Sequence, residues 1–236
     1  MTTAPVAVIT GASRGLGAAL AAGLAREGWQ LVVDARTGAD LDVAATALAR
    51  LTTVAAIAGD VVDDDHRAAL AAAADLLGGA TLLVNNASVL GGSPPPRLAD
   101  FPLPALLDTF EVNVLAPIAL TQLLLPQLRR GAAGAVLNIS SDAAVEAYPG
   151  WGGYGAAKAA LDHAGAVLAE EEPGLRVWSV DPGDLRTRLQ QEAFPDEDIS
   201  DRPLPATVVP PLLDLLRRRP PSGRYRAADL ARELVR

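Results

Sequence analysis

Val6-Ala7-Val8-Ile9-Thr10-Gly11-Ala12-Ser13-Arg14-Gly15-Leu16-Gly17 joins an uncharged apolar run to three glycines spaced Gly-x-x-x-Gly-x-Gly. The apolar run, stopped by a glycine, reads as a buried strand. An alanine- and leucine-rich segment follows to Glu27, with Gly28 behind it, and reads as a helix from about Gly15. A strand that turns into a helix through glycines suits a dinucleotide. Glycines allow a tight turn, close backbone approach to a phosphate, and close helix–strand packing. The helix start offers free N–H groups and the positive end of its dipole to a pyrophosphate. The spacing differs from the commoner Gly-x-Gly-x-x-Gly, and a tight turn without ligand is the competing reading.

Outward from this turn the pattern repeats. Leu31-Val32-Val33, Val54 to Ile57, Ala80 to Val84, Ala135 to Ile139 and Leu175 to Val180 read as further strands. Helices are expected near Leu41 to Leu51, over 63–77, over Leu103 to Arg129, around Tyr154, and near Ala206 to Arg218. Gly223 to Ala227 is a candidate seventh strand, against which the helical pattern of Ala228 to Arg236 counts. Alternating apolar strands and helices predict a doubly wound α/β (Rossmann) domain. Its mostly parallel sheet has six to seven strands, with helices on both faces. No composition break divides the 236 residues, so one domain is expected over 1–236.

Composition excludes several functions. The net charge of −8 argues against nucleic acid or an anionic membrane as partner. With no cysteine, disulfides, thiolate catalysis and zinc–thiolate sites are out. His66 and His163 stand alone, without ligand spacing, so no metal is expected. Val112 to Leu128 is uncharged and nearly long enough to span a membrane. It contains Asn113, Pro117, Gln122 and Pro126, which favours a buried helix of a soluble protein. No basic, apolar leader precedes the first strand, which points to the cytoplasm.

Tyr154-Gly155-Ala156-Ala157-Lys158 is the chemical centre. Four residues apart on a helix, phenol and ammonium lie on one face. There Lys158 is expected to draw the Tyr154 pKa below its ordinary value of about 10, making a proton donor and acceptor for neutral pH. Chance pairs at this spacing are common, so the neighbours decide. Lys158 is the only lysine against nineteen arginines. A compact ammonium on a flexible stem is not interchangeable with a planar guanidinium.

Together these stretches resemble the short-chain dehydrogenase/reductase family of single-domain Rossmann oxidoreductases, from residue 5 to about 190. The glycine turn, with Gly11, Ser13, Arg14, Gly15, Leu16 and Gly17, resembles that family's cofactor motif. Asp60-Val61 resembles its adenine contact, and Asn85-Asn86-Ala87-Ser88 its Asn-Asn-Ala-Gly motif. Asn113 matches the position that holds a proton-relay water. Ser141, thirteen residues before Tyr154, matches the catalytic serine. Pro182-Gly183, with Leu185 and Thr187, resembles the segment that holds the nicotinamide. The resemblance implies a catalytic set of Asn113, Ser141, Tyr154 and Lys158. It implies hydride transfer between a nicotinamide cofactor and a small carbonyl or alcohol substrate, Lys158 also binding the cofactor's ribose. Several of these residues have plainer readings. Asp60 would serve as a helix cap, Asn86 as a turn residue, and Ser140 and Ser141 as a turn pair, Ser140 the more so.

Cofactor choice turns on the end of the second strand, where an acid binds the adenosine ribose and an arginine accepts a 2′-phosphate. Family spacing puts Ala35 at the acid position, followed by Arg36, with Arg14 as a second cation. This favours NADP(H). NAD(H) stays possible, because Asp34 lies one residue away.

The substrate is not legible. Val89 to Pro94, Ala143 to Trp151 and the polar, lid-like segment after Thr187 should line its pocket, and Glu146 is either a substrate contact or a solvated loop charge. Three features depart from the family: Ser88 for glycine, Asp181 and Asp184 flanking Pro182-Gly183, and an atypical stretch from Pro220 to Arg236. An all-apolar helix needs cover on two sides. The resemblance implies a homodimer or homotetramer through the 103–129 and 151–171 helices. A cofactor-binding sensor without turnover is the alternative function.

Overall fold

The structure is a computed structural model that describes residues 4–130 and 133–234. Seven strands form one sheet: β1 (Val6–Ile9), β2 (Gln30–Ala35), β3 (Val54–Ala58), β4 (Ala80–Asn85), β5 (Ala135–Ile139), β6 (Arg176–Asp181) and β7 (Gly223–Arg226). Their order is β3-β2-β1-β4-β5-β6-β7, and every pairing is parallel. The order reverses between β1 and β4, which is where open α/β sheets bind ligands.

Strand alternation builds two cores. Ala7 and Ile9 of β1 face one layer with Leu31, Val33 and Trp178, covered by α1 (Gly15–Arg26), α2 (Gly38–Leu48), α8 (Val209–Arg218) and α9 (Ala227–Leu234). Val6 and Val8 face the other layer with Val32, Leu83 and Val136. There α3 (Asp64–Leu76) and α5 (Ala116–Leu128) bring in Leu70, Leu120, Leu124 and Leu128, and α6 (Gly152–Glu171) adds Leu168. Uncharged strands buried on both faces are what a parallel sheet requires.

Three expectations change in detail. The predicted helix over 103–129 is α4 (Leu103–Phe110), a single π-helical turn (Glu111–Leu115), then α5. Pro117 has no N–H to give the Asn113 carbonyl four residues earlier, so the α-helical ladder cannot run unbroken there. By length and hydropathy Leu103–Leu128 matches a membrane span, yet its inner face lies in the second core. The polar segment after Thr187 has regular structure at its start. It contains α7 (Arg188–Ala193), with Gln190 and Ala193 buried. At the C-terminus both competing readings hold in succession, β7 and then α9, while Val235 and Arg236 lie outside the described residues.

Candidate active site

The glycine turn is held by polar groups that the strand ends leave without ladder partners. Gly11 adopts a left-handed φ of 67°, and its N–H donates to Asp34 Oδ1 at 2.6 Å. A Cβ on Gly17 would stand 2.4 Å from the Gly11 carbonyl oxygen and 2.5 Å from Asn86 Nδ2. Asn86 Nδ2 donates to the carbonyls of Thr10 (2.8 Å) and Gly11 (3.1 Å). The backbone N–H groups of Asn86 and Ala87 both donate to Thr10 Oγ1 at 3.0 Å. Asn86 is therefore first a brace for the turn. No side chain caps α1 at Arg14, so its leading N–H groups remain for an anion.

A cavity of about 500 Å³ opens above this turn. It is lined by Gly11, Ser13, Arg14, Gly15 and Leu16, by Arg36, Asp60 and Val61, and by Asn86 and Ala87. It continues past Ser141, Tyr154 and Lys158 to Pro182, Gly183, Leu185 and Thr187. Of the residues expected at the site, Gly17 and Asn113 lie behind its wall. Asp60 accepts from Val62 N–H at 3.2 Å, whereas the cap of α3 is Asp63, which accepts from Asp65 N–H. Asp60 is thus not the helix cap. Among the described residues no group of three or more histidine, aspartate or glutamate side chains is placed to hold a metal.

Asp34 lines the cavity with both carboxylate oxygens already partnered. It is 1% exposed, with Oδ1 on Gly11 N–H and Oδ2 3.0 Å from His66 Nε2. Arg36 is exposed at the cavity, and Arg14 makes one long, half-exposed contact of 3.7 Å with Asp40. The adenosine end therefore offers arginine and no unengaged acid at the end of β2, which fits a phosphorylated ribose.

Tyr154 and Lys158 are both buried, because α6 approaches the serine loop closely. A Cβ on Gly155 would lie 2.4 Å from the Ala143 carbonyl oxygen. Lys158 Nζ donates to the Ile139 carbonyl at 2.8 Å and lies 5.5 Å from the centre of the Tyr154 ring. The expected depression of the Tyr154 pKa is absent here. Burial pushes the phenol up to about 12, aided by the Asp142 and Asp181 carboxylates and opposed by the hydroxyls of Ser88 and Ser141. Burial likewise pulls the Lys158 ammonium down to about 8, with Asp162 opposing. Desolvation, which penalises each charged form, outweighs their mutual attraction.

The local turn bonds expected of Ser140 are made by Ser141. Ser140 Oγ donates to Asp162 Oδ2 at 2.8 Å. Ser141 Oγ is the one engaged locally, accepting from Ala143 N–H at 3.1 Å and donating to Asp142 Oδ1 at 2.9 Å. Asn113 sits in the π-turn with Nδ2 on the Val89 carbonyl (2.8 Å) and Oδ1 accepting from Val89 N–H (3.0 Å).

Two contributors escaped the sequence reading. Phe194, at the end of α7, packs 6.0 Å from Trp151, which meets Tyr154 edge-on at 5.6 Å. With Leu90, Ala143 and Ala193 they form an apolar wall beside the phenol. The spacing of Leu189, Ala193 and Phe194 within a polar stretch was the available signal. Arg224 of β7 donates to the Ser141 carbonyl (2.8 Å) and to Asp162 Oδ2 (3.1 Å), tying the serine loop to α6 from behind. Glu146 is exposed and accepts from the Tyr148 hydroxyl at 2.7 Å.

Comparison with known proteins agrees with this architecture. Residues 5–198 match the family model for short chain dehydrogenases. Oxidoreductase YciK of Escherichia coli is 39% identical over 110 residues, covering 46% of this chain. That alignment spans 44% of YciK, less than half its length. A short chain dehydrogenase structure from Pseudomonas syringae superposes with a TM-score of 0.88 at 29% identity, covering 94% of each chain. One from Shigella flexneri, complexed with NADP, gives 0.86 at 28% identity, covering 95% of this chain and 97% of that one.

The crowding at Gly17 makes a prediction. Gly17→Ala places a methyl against the Gly11 carbonyl and the Asn86 amide, so turn and helix must separate. We expect dinucleotide affinity to fall about tenfold or more and stability to drop by about 1–3 kcal/mol. Fluorescence titration with NADPH and thermal denaturation measure the two effects.

Proposed function

The chain belongs to the short-chain dehydrogenase family, and from that membership and the site geometry we propose that it is an NADP(H)-dependent oxidoreductase. It interconverts a carbonyl compound and an alcohol, with Tyr154 as acid/base group. One observation carries the reading: a single cavity joins the uncapped start of α1 to the buried Tyr154–Lys158 pair. The residues at its adenosine end fit the cofactor, which when bound supplies or accepts the hydride.

The chain's own residues do the rest. Tyr154 gives its proton to the substrate oxygen in reduction and takes it back in oxidation. Lys158, pinned on the Ile139 carbonyl, sets a positive charge beside the phenol ring and by family likeness holds the cofactor's ribose. Ser141 lies close enough to the phenol to favour its anion, which suits a role in orienting the same oxygen. The Asn113 side chain is spent on Val89 and Ser88. Its backbone carbonyl, whose usual partner four residues on is Pro117, is the group we assign to a relay water. Trp151 and Phe194 exclude bulk water from the substrate side and favour an apolar substituent.

The chemical test is NADPH oxidation across a panel of ketones and aldehydes. Tyr154→Phe is expected to lower kcat about 10²- to 10⁴-fold while cofactor binding changes little. Full turnover by that variant would overturn the assignment.

Cofactor preference gives a second test. The native chain should bind NADPH more tightly than NADH, and Arg36→Ala should weaken NADPH about tenfold and leave NADH nearly unchanged. A native preference for NADH defeats this part of the reading.

Assembly gives a third. Leu103, Leu107, Leu115 and Leu123 are exposed along the 103–128 segment, and Val167 is exposed on α6. We take a second copy of the chain as their cover, in a homodimer or homotetramer. Light scattering at micromolar concentration should report at least a dimer, and a monomer mass refutes it.

A further inference from the structure

His66 stands alone in the sequence, without ligand spacing, and belongs to no part of the group around Tyr154. It sits in the first turn of α3 and is 7% exposed. Its ring packs against the loop that follows β3, where a Cβ on Gly59 would collide with Nδ1. That loop, with Gly59, Asp60 and Val61, lines the cavity. On its other side the ring meets Asp34, Nε2 lying 3.0 Å from Oδ2. A carboxylate only accepts, so the ring donates from Nε2.

Strand alternation explains why the two meet. Along β2, Leu31, Val33 and Ala35 belong to the layer of α1 and α2, whereas Val32 faces the layer of α3. Asp34, two residues after Val32, points to the same side. A carboxylate facing an apolar layer is costly unless it is partnered. His66 and the Gly11 N–H supply the partners, one for each oxygen. Asp34 is nevertheless a cavity-lining residue, as Arg36 is two residues later.

We propose that His66 is a positioning residue that sets which nucleotide the cavity accepts: by holding Asp34 Oδ2 on α3, it withholds the carboxylate from an adenosine ribose. Arg36 is then left to meet a 2′-phosphate. The inference rests on the NADP(H) reading of the same cavity. A ribose 2′-hydroxyl donates to a carboxylate, whereas a phosphate at that carbon is repelled by one. Each carboxylate oxygen can accept more than one bond, so the Gly11 N–H on Oδ1 alone does not keep Asp34 from a ribose. The second anchor does. Once the ring is removed, Oδ2 lacks a partner in a buried place, and turning to the cavity restores one.

The test is nucleotide binding by the full chain, read by fluorescence titration with NADPH and with NADH. Circular dichroism and thermal denaturation follow folding. His66→Ala should tighten NADH and weaken NADPH, moving their affinity ratio about tenfold toward NADH. His66→Leu fills the space of the ring without a donor, so it covers failure of the alanine variant to fold and should give the same shift. In an Asp34→Asn background no carboxylate is left to release, and His66→Ala should leave the ratio unmoved. A purely structural role would weaken both nucleotides alike and could not tighten NADH. Folded His66 variants with the native ratio, or with both affinities lowered equally, overturn the inference while the NADP(H) reading stands. A shift that persists with Asp34→Asn overturns it as well. A native chain that prefers NADH, or binds neither nucleotide, overturns the NADP(H) reading itself, and the inference falls with it.

Discussion

Seven strands running one way bring seven carboxyl ends to one edge, where each chain must leave the sheet and its polar groups lose their ladder partners. In an open parallel sheet that edge is also where ligands bind. Each polar group buried there needs an internal partner or must face the cavity. Thr10 ends β1 and binds the N–H groups of Asn86 and Ala87. Asp34, near the end of β2, binds Gly11 and His66. Asn85 ends β4 and donates to Asn138 of β5 at 2.8 Å. Asp181 ends β6 and accepts from the Gly183 N–H at 2.9 Å. The rim of the site is thus a chain of polar groups that hold one another, and the cofactor turn inherits its geometry from them.

On this rim Tyr154 and Lys158 are held against their electrostatic interest. Tyr154 and Lys158 are both desolvated, so the phenol keeps its proton and the ammonium tends to lose one. The carboxylates of Asp142 and Asp181 deepen the effect on Tyr154. Against them stand the Ile139 carbonyl, 2.8 Å from the ammonium, and the hydroxyls of Ser88 and Ser141, which favour the phenolate. Burial sets the large shifts, and the hydroxyls trim them. Behind this layer Arg224 joins the serine loop to α6 through Asp162. The last strand therefore supports the site without touching the cavity.

Much of this was legible because backbone rules are local. Alternating apolar runs, the glycines of the first turn and the four-residue step from Tyr154 to Lys158 each state their geometry within a short window. What stayed illegible depends on pairs far apart in the chain. Asp34 in an otherwise uncharged strand was a visible anomaly, yet its partner, His66, lies 32 residues away on α3. With that contact known, both carboxylate oxygens of Asp34 are seen to have partners inside the protein. The local partners of Ser140 and Ser141 have the same origin: adjacent serines at a strand end point to different sides, and Ser140 is held by Asp162, 22 residues on, while Ser141 meets the Ala143 N–H. The π-turn hid in a pattern that reads as continuous helix, although Pro117 marked the carbonyl that could not take its usual partner four residues on. Arg224 lay in a terminal stretch whose strand and helix signals overlapped.

The single lysine gains its explanation from the same geometry. Lys158 is 2% exposed, and its ammonium reaches the Ile139 carbonyl beneath the Tyr154 ring. A guanidinium would bring five donors in a planar fork into a site that shows one protein acceptor for the cation. The remaining donors would lack partners in a buried place, which is costly. An ammonium has three donors on a compact, rotatable head, so one can bind Ile139 while the others face the cavity. Elsewhere the chain uses arginine, and several of those side chains meet carboxylates at the surface, as Arg188 does with Glu192 and Arg217 with Glu27. There a planar fork is an advantage. The exception at 158 follows from burial and from the number of acceptors at hand, so the residue type is fixed by the same desolvation that shifts its pKa.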